Sequence, residues 1–299
     1  MIRVANAPCS WGILEFELEG SAAGFAQVLD EMRATGYAGT ELGDWGFMPT
    51  DPARLRDELN ARELKLLAAF VPIHFSNAHA HAAGEANALR TARLLAAASD
   101  ANPFIVLADD NGKNPTRTKN AGRVQTEHQL NDEQWRVFAK GVERVARAVR
   151  DETGLQSVFH HHGAGFVETP SEVDELMART NPELVGLCFD TGHYALGGGD
   201  PRAGLEKHFA RVRHVHFKDF APDIAARARE YAWDYIQSVR NGIFCELGKG
   251  NVDFANILEF LNARAYDGWI VVEQDVLPGM GTPRDSAQRN REFLRGLGV

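Results

Sequence analysis

Phe159-His160-His161-His162-Gly163, Phe189-Asp190-Thr191-Gly192-His193 and His214-Val215-His216-Phe217-Lys218-Asp219 decide how this chain reads. Each closes an apolar run that predicts a β-strand, and together they hold six of the eleven histidines, a density that points to a chemical centre. Side chains alternate faces along a strand, so His160 and His162 share a face, as do His214, His216 and Lys218. A fourth run, Trp269 to Asp275, places Glu273 and Asp275 on one face. Imidazoles and carboxylates gathered from several strand ends predict a mononuclear divalent-metal site.

Working outward, further strands are expected at 3–7, 39–42, 64–71 and 104–107. The histidine-bearing runs continue the series at 157–161, 184–189 and 212–217, and 269–275 ends it. Helices are expected at about 22–35, with Ser21 as cap, and at 51–62, 85–99 and 132–151. Another starts at Pro170, and one follows the turn at Gly197 to Pro201. The rest fall at 221–240, 254–263 and 284–297. Eight strands alternating with helices, without a linker-like break, predict a right-handed parallel series. The expected fold is a single (β/α)8 TIM barrel over residues 1–299, with the ligand-type residues on the face where strands end. An open doubly wound sheet is the rival, but it concentrates its site at one switch point. The polar stretch 108–131 is too long for a plain connection and is expected to act as a lid.

The 299 residues are 44% hydrophobic and 24% charged, which suits a globular enzyme rather than a disordered chain. A net charge of −9 and the lack of a Lys/Arg stripe argue against nucleic acid as partner. No apolar run reaches the ~20 residues of a membrane span. Cys9, Cys188 and Cys245 are widely spaced, without CxxC, as expected of a reducing cytoplasm. The sequence is compatible with a homo-oligomer.

Each candidate has a plainer alternative. Asp190 could make an Asx turn, but His193 follows closely and the other strands point to the same face. His216 is read as a ligand rather than a core histidine, and the deeper His214 as an inner-layer residue. Glu273 follows WIVV, where a carboxylate is costly unless paired or metal-bound. Of His160 and His162, one is read as a ligand and the other as a substrate contact, with His161 turned to the helices. Lys218 is placed at the mouth, as base, electrostatic clamp or Schiff-base former. Glu41 either pairs with an interior lysine or handles a substrate hydroxyl. Trp11 and Trp45 offer apolar faces to a ring, unless they serve packing. Asp275 joins the substrate-binding set.

NAPCSWG (Asn6 to Gly12), GTELG (Gly39 to Gly43), FHHHGAG, FDTGHY, HVHFKD, FCELGKGNVDF (Phe244 to Phe254) and GWIVVEQDV (Gly268 to Val276) resemble, in order and over nearly the whole chain, the inosose dehydratases. These lie within the xylose isomerase-like barrels. The resemblance implies dehydration of a cyclic keto-polyol, 2-keto-myo-inositol (scyllo-inosose), to a trihydroxycyclohexane-dione in inositol catabolism. It implies Mn²⁺ or Co²⁺ held by His160, Asp190, His216 and Glu273. The wider superfamily has a strand-5 glutamate where this chain has His160, which disfavours the paired-glutamate mechanism of its ketose epimerases. Removing a proton beside a ketone builds charge that a metal stabilises as an enediolate, and a base and an acid must flank it. Glu41, His162, His193 and Lys218 are the available groups; Lys218, Glu41 and His193 are taken as catalytic and His162 as substrate-binding. A sugar isomerase or epimerase, an endonuclease-type phosphodiesterase and a non-catalytic sugar-binding barrel are the alternatives.

Overall fold

One face of every barrel strand meets the helices and the other fills the interior, which is why these strands read as apolar runs rather than as half-polar ones. The computed structural model describes residues 2–13, 23–277 and 279–299. Its eight barrel strands are β1 (Arg3–Asn6), β2 (Gly39–Glu41), β3 (Lys65–Ile73), β4 (Phe104–Asp109), β5 (Ser157–His160), β6 (Val185–Asp190), β7 (Val212–Phe217) and β8 (Trp269–Val272). Each pairs in parallel with its neighbours, and β8 closes the barrel on β1 from Arg3↔Trp269 to Asn6↔Val272. The expected TIM barrel is the fold observed.

The largest apolar cluster lies between strands and helices. Ile105, Leu107, Phe159 and Val215 from the strands join Leu95, Phe138, Val142 and Leu176 from the helices. The intervening strand residues form small separate clusters, Ala68, Val106, Val158 and Cys188 in one and Ala5, Ala7, Leu67 and Val271 in the other. Continuing the same alternation one step beyond Val158 and Cys188 brings His160 and Asp190 inward at the strand ends.

Three expectations about elements need correction. The helix expected from residue 22 runs Phe25–Thr35 and is capped at Gly24; Ser21 lies outside the described residues. The single helix expected at 221–240 is two, Pro222–Glu230 and Tyr235–Arg240. Ala232 at φ 50° breaks the run, and Asp234 starts the second helix through a capping box with Gln237. The stretch 108–131 is not plain loop: it holds a short helix, Pro115–Lys119, and a 3₁₀ turn, Thr126–His128. Arg117 in that helix is fully buried, forked onto Glu172 at 2.8 and 2.9 Å, with Nε donating to the Gly165 carbonyl at 2.8 Å. This ties the segment to the β5 side of the barrel mouth. Beyond β7, Asp219–Phe220 pairs antiparallel with Phe244–Cys245. Among the described residues no helix is long and apolar enough to cross a membrane.

Candidate active site

Strand register sets the heights of the candidate ligands. Asp190 on β6 lies beside His216 on β7, and His216 beside Val271 on β8. The Glu273 amide then donates to the Phe217 carbonyl at 3.0 Å, which seats Glu273 just past the end of β8. His160 is level with Cys188, slightly deeper. His160 Nε2 lies 3.6 Å from Asp190 Oδ2, and His216 Nδ1 is 3.8 Å from Asp190 Oδ2 and 3.4 Å from Glu273 Oε1. Donor edges of that length suit an ion with bonds of about 2.1 Å.

The same atoms lack other partners. Both His160 ring nitrogens, His216 Nδ1 and Asp190 Oδ2 are buried without a hydrogen bond. Orphaned buried donors and acceptors are costly and rare. Here they converge, so the residues fit a divalent metal. Asp190 Oδ1 is already used, accepting from the His193 amide at 2.7 Å, which leaves Oδ2 aimed into the cluster. All four residues offer a donor atom within 4.8 Å of the others.

His216 is oriented from behind. Its Nε2 lies 2.9 Å from Glu41 Oε1, an oxygen that also takes His214 Nε2 at 2.7 Å. The carboxylate places the His216 proton on Nε2 and turns the Nδ1 lone pair to the cluster, an arrangement common behind metal-binding imidazoles. Burial alone would raise the Glu41 pKa, but His216 and His214 overcome it and hold the carboxyl down to about 2. Glu41 reaches the cavity edge, yet its position is that of an orienting group rather than a base waiting for substrate.

Lys218 Nζ sits 3.1 Å from Asp275 Oδ1 and 3.4 Å from Glu273 Oε2. Burial works against its charge, but Asp275, Glu273 and Asp190 outweigh it and raise its pKa, so it is an ammonium. Schiff-base chemistry is therefore disfavoured, since it needs a neutral amine. Gly192 makes room for this side chain: a Cβ there would stand 2.7 Å from Lys218 Cγ.

Lys218, His160, His162, His216, Glu273 and Asp275 border one cavity, and Glu41 also lines it. His162 Nδ1 lies 2.7 Å from the Gly163 carbonyl and 3.1 Å from the Asn111 side-chain amide; the carbonyl can only accept, whereas the amide can turn its oxygen to the ring, so the nearer contact favours a proton on Nδ1. His193 does not reach the cavity. It is buried behind His162 at 4.0 Å between ring centroids, and its Nδ1 accepts from the Gly163 amide at 3.2 Å. His161 faces the helices as expected, its Nε2 accepting from the Asp190 amide at 3.1 Å.

The tryptophans are placed elsewhere. Trp11 is buried against the helix Phe25–Thr35 and donates to Glu31 Oε2 at 2.7 Å, so it offers no face to the cavity. Trp45 is 38% exposed, borders a neighbouring shallow pocket, and carries Arg90 over its ring at 4.0 Å. An aromatic just after a strand can turn either way, and here both turn from the cavity. Sequence reasoning missed Cys9, Asp44, Phe70 and Tyr235 as cavity walls. Alternation along β3, carried past Ala68, would have found Phe70; nothing local marks Tyr235. It also missed Asp219, whose carboxylate accepts from the Phe220, Gly248, Gly250 and Val252 amides at 2.8 to 3.1 Å and shapes the 248–252 loop.

Residues 29–297 match the xylose isomerase-like TIM barrel family. An inosose dehydratase of Lacticaseibacillus casei is 31% identical over 293 residues, 98% of this chain and 96% of that protein. One of Salmonella typhimurium is 30% identical over 297 residues, 99% of this chain and 96% of its own. Among solved structures, IolI protein with a bound zinc atom superposes with a TM-score of 0.70 at 15% identity, over 99% of this chain and 98% of that one. The probable 3-DHS dehydratase AsbF from Bacillus anthracis gives 0.69 at 14%, over 99% of each chain. These two speak to the fold; the sequence matches carry the closer relationship. The chain belongs to the inosose dehydratase family of hydro-lyases, within the xylose isomerase-like TIM barrels.

Proposed function

We propose that this chain dehydrates 2-keto-myo-inositol (scyllo-inosose), a cyclic keto-polyol, to a trihydroxycyclohexane-dione. The observation that carries the reading is the meeting, on one cavity, of a four-donor cluster with orphaned atoms and a lysine held as an ammonium. Full-length similarity to inosose dehydratases supports the substrate. The chemistry balances as follows. The carbon beside the ketone gives up its proton, the freed pair forms a C=C bond, and the neighbouring hydroxyl leaves with a proton as water. The resulting enol rearranges to the dione.

Two residues suit the proton transfers. With its proton on Nδ1, His162 has its lone pair on Nε2 and serves as the base. Lys218, kept charged by Asp275 and Glu273, protonates the departing hydroxyl. Glu41 and His193 become positioning residues, Glu41 behind His216 and His193 behind His162. A divalent ion held by His160, Asp190, His216 and Glu273 would supply Lewis-acid stabilisation of the charge developing on the ketone oxygen. Two imidazoles and two carboxylates favour Mn²⁺ or Co²⁺ over Ca²⁺, and the zinc in IolI shows that a related barrel takes a transition-type ion. The three unpaired cysteines support a reducing, cytoplasmic setting.

The test incubates metal-loaded protein with 2-keto-myo-inositol, and separately with open-chain ketoses, in D₂O. Dione absorbance should grow with the inosose alone. An epimerase must handle a proton on either face of one carbon and so needs two opposed acid/base groups; His160, engaged with a metal, has no lone pair left for that. Inversion of a ketose carbon with deuterium uptake, and no dione from the inosose, would overturn the assignment.

A further inference from the structure

Cys188 lies one layer below the carboxylate-bearing cluster. It points into the barrel from β6, two residues before Asp190, in register with His160 on β5 and with His214 on β7. Its other neighbours, Ala68, Val106 and Val158, are apolar and fully buried. Donor atoms of His160, Cys188 and His216 lie within 4.8 Å of one another, a grouping separate from the one containing Asp190 and Glu273. The second observation is that both His160 ring nitrogens and His216 Nδ1 are buried without partners, on side chains no more than 2% exposed.

We propose that His160, Cys188 and His216 form an inner site for a thiophilic divalent ion, Cd²⁺ or Zn²⁺, alternative to the outer position. The two positions share both imidazoles, so one ion fills either, and softness decides which. Thiolate sulfur prefers soft cations, whereas the carboxylates of Asp190 and Glu273 suit Mn²⁺. On binding, the Cys188 S–H bond breaks, its proton leaves to solvent, and a sulfur–metal bond forms; no redox change occurs. In a tetrahedral zinc site, donors lie on the order of 3.5 Å apart, and the three here fall within 4.8 Å of one another, so rotamer adjustment can close them on one ion. The apolar floor gives the thiol few competing partners, and the Glu41 carboxylate behind His216 offsets part of the ion's charge. The inner site does not depend on which polyol the enzyme dehydrates.

The test loads the full-length protein with ¹¹³Cd²⁺ and reads its NMR shift, which moves strongly when sulfur binds. Wild type should show one sulfur ligand, and Cys188→Ser should show nitrogen and oxygen ligation only. Cd²⁺ affinity should fall about tenfold or more in Cys188→Ser, while Mn²⁺ affinity, followed by electron paramagnetic resonance, stays within about twofold. Asp190→Asn, which weakens the outer set, should leave the sulfur signature in place. If Cys188→Ser does not fold, Cys9→Ser decides instead: the sulfur signature must persist in that variant, and its loss there overturns the site. A wild-type shift without sulfur overturns the site. So does a sulfur signature that survives Cys188→Ser, since Cys9 on the same cavity would then be its source.

Discussion

Glu41 illustrates how a single oxygen can set a centre it does not enter. Its Oε1 accepts from His214 and His216 together, and the second of these bonds fixes the tautomer of an imidazole whose Nδ1 faces the donor cluster. Glu41→Gln can no longer take two N–H donors on an anionic oxygen. We expect divalent-metal affinity to drop by about 10–100-fold with the fold retained. Calorimetric Mn²⁺ titration checks this, and an unchanged affinity would remove Glu41 from its orienting role. The sequence placed Glu41 at a strand tip and His214 in the inner layer, but not their contact, because β2 and β7 are not neighbours in the sheet. The gathering of His160, Asp190, His216 and Glu273 was legible for the opposite reason. Strand alternation and a shared strand-end position determine their direction without knowledge of distant packing. Trp11 shows the limit: its partner Glu31 lies on a helix whose facing residues the sequence does not reveal.

Among the elements, the 108–131 segment repays the closest reading. Its sequence looks like loop because its order comes from outside, from the Arg117–Glu172 fork and from Glu168. The Glu168 carboxylate accepts from the Gly122 and Ala164 amides, both at 2.7 Å. Burial raises the Glu168 pKa from an ordinary 4.5 to about 7, against the pull of Arg117 and the two amides. A carboxyl whose pKa is raised by folding favours the native state below its unfolded pKa. That contribution is lost as pH rises through its folded pKa. Glu168→Gln is neutral at every pH but sets an NH2 against one of the two amides, a cost that does not vary with pH; its melting temperature relative to wild type should therefore be higher near pH 8 than near pH 4.5. Calorimetric scans at the two pH values check the sign; a variant that melts below wild type only at pH 8 would refute it. The strand series and the helix Phe254–Ala263 were readable because their periodicity is local. The division of 221–240 was not, since it turns on a positive φ at an alanine.

Across the whole molecule, metal binding at the proposed cluster would be linked to folding, because the four donors come together only in the closed barrel. Removing metal with a chelator should abolish dehydration and lower the melting temperature. Restoring Mn²⁺ at a hundredfold excess over Kd should return about 3 kcal/mol of stability. Differential scanning calorimetry before and after chelation measures it, and identical melts would mean no ion is held. The donors His160, Asp190, His216 and Glu273 come from β5 to β8 and the residues just beyond. The first four strands and their connections instead supply Glu41, Cys9, Asp44 and Phe70. The seat of the ion and much of the wall that greets the substrate are thus written in different halves of the gene product. Recombining first halves among related barrels, with Glu41 kept as the coupling between them, should re-aim selectivity while leaving the ion's seat intact.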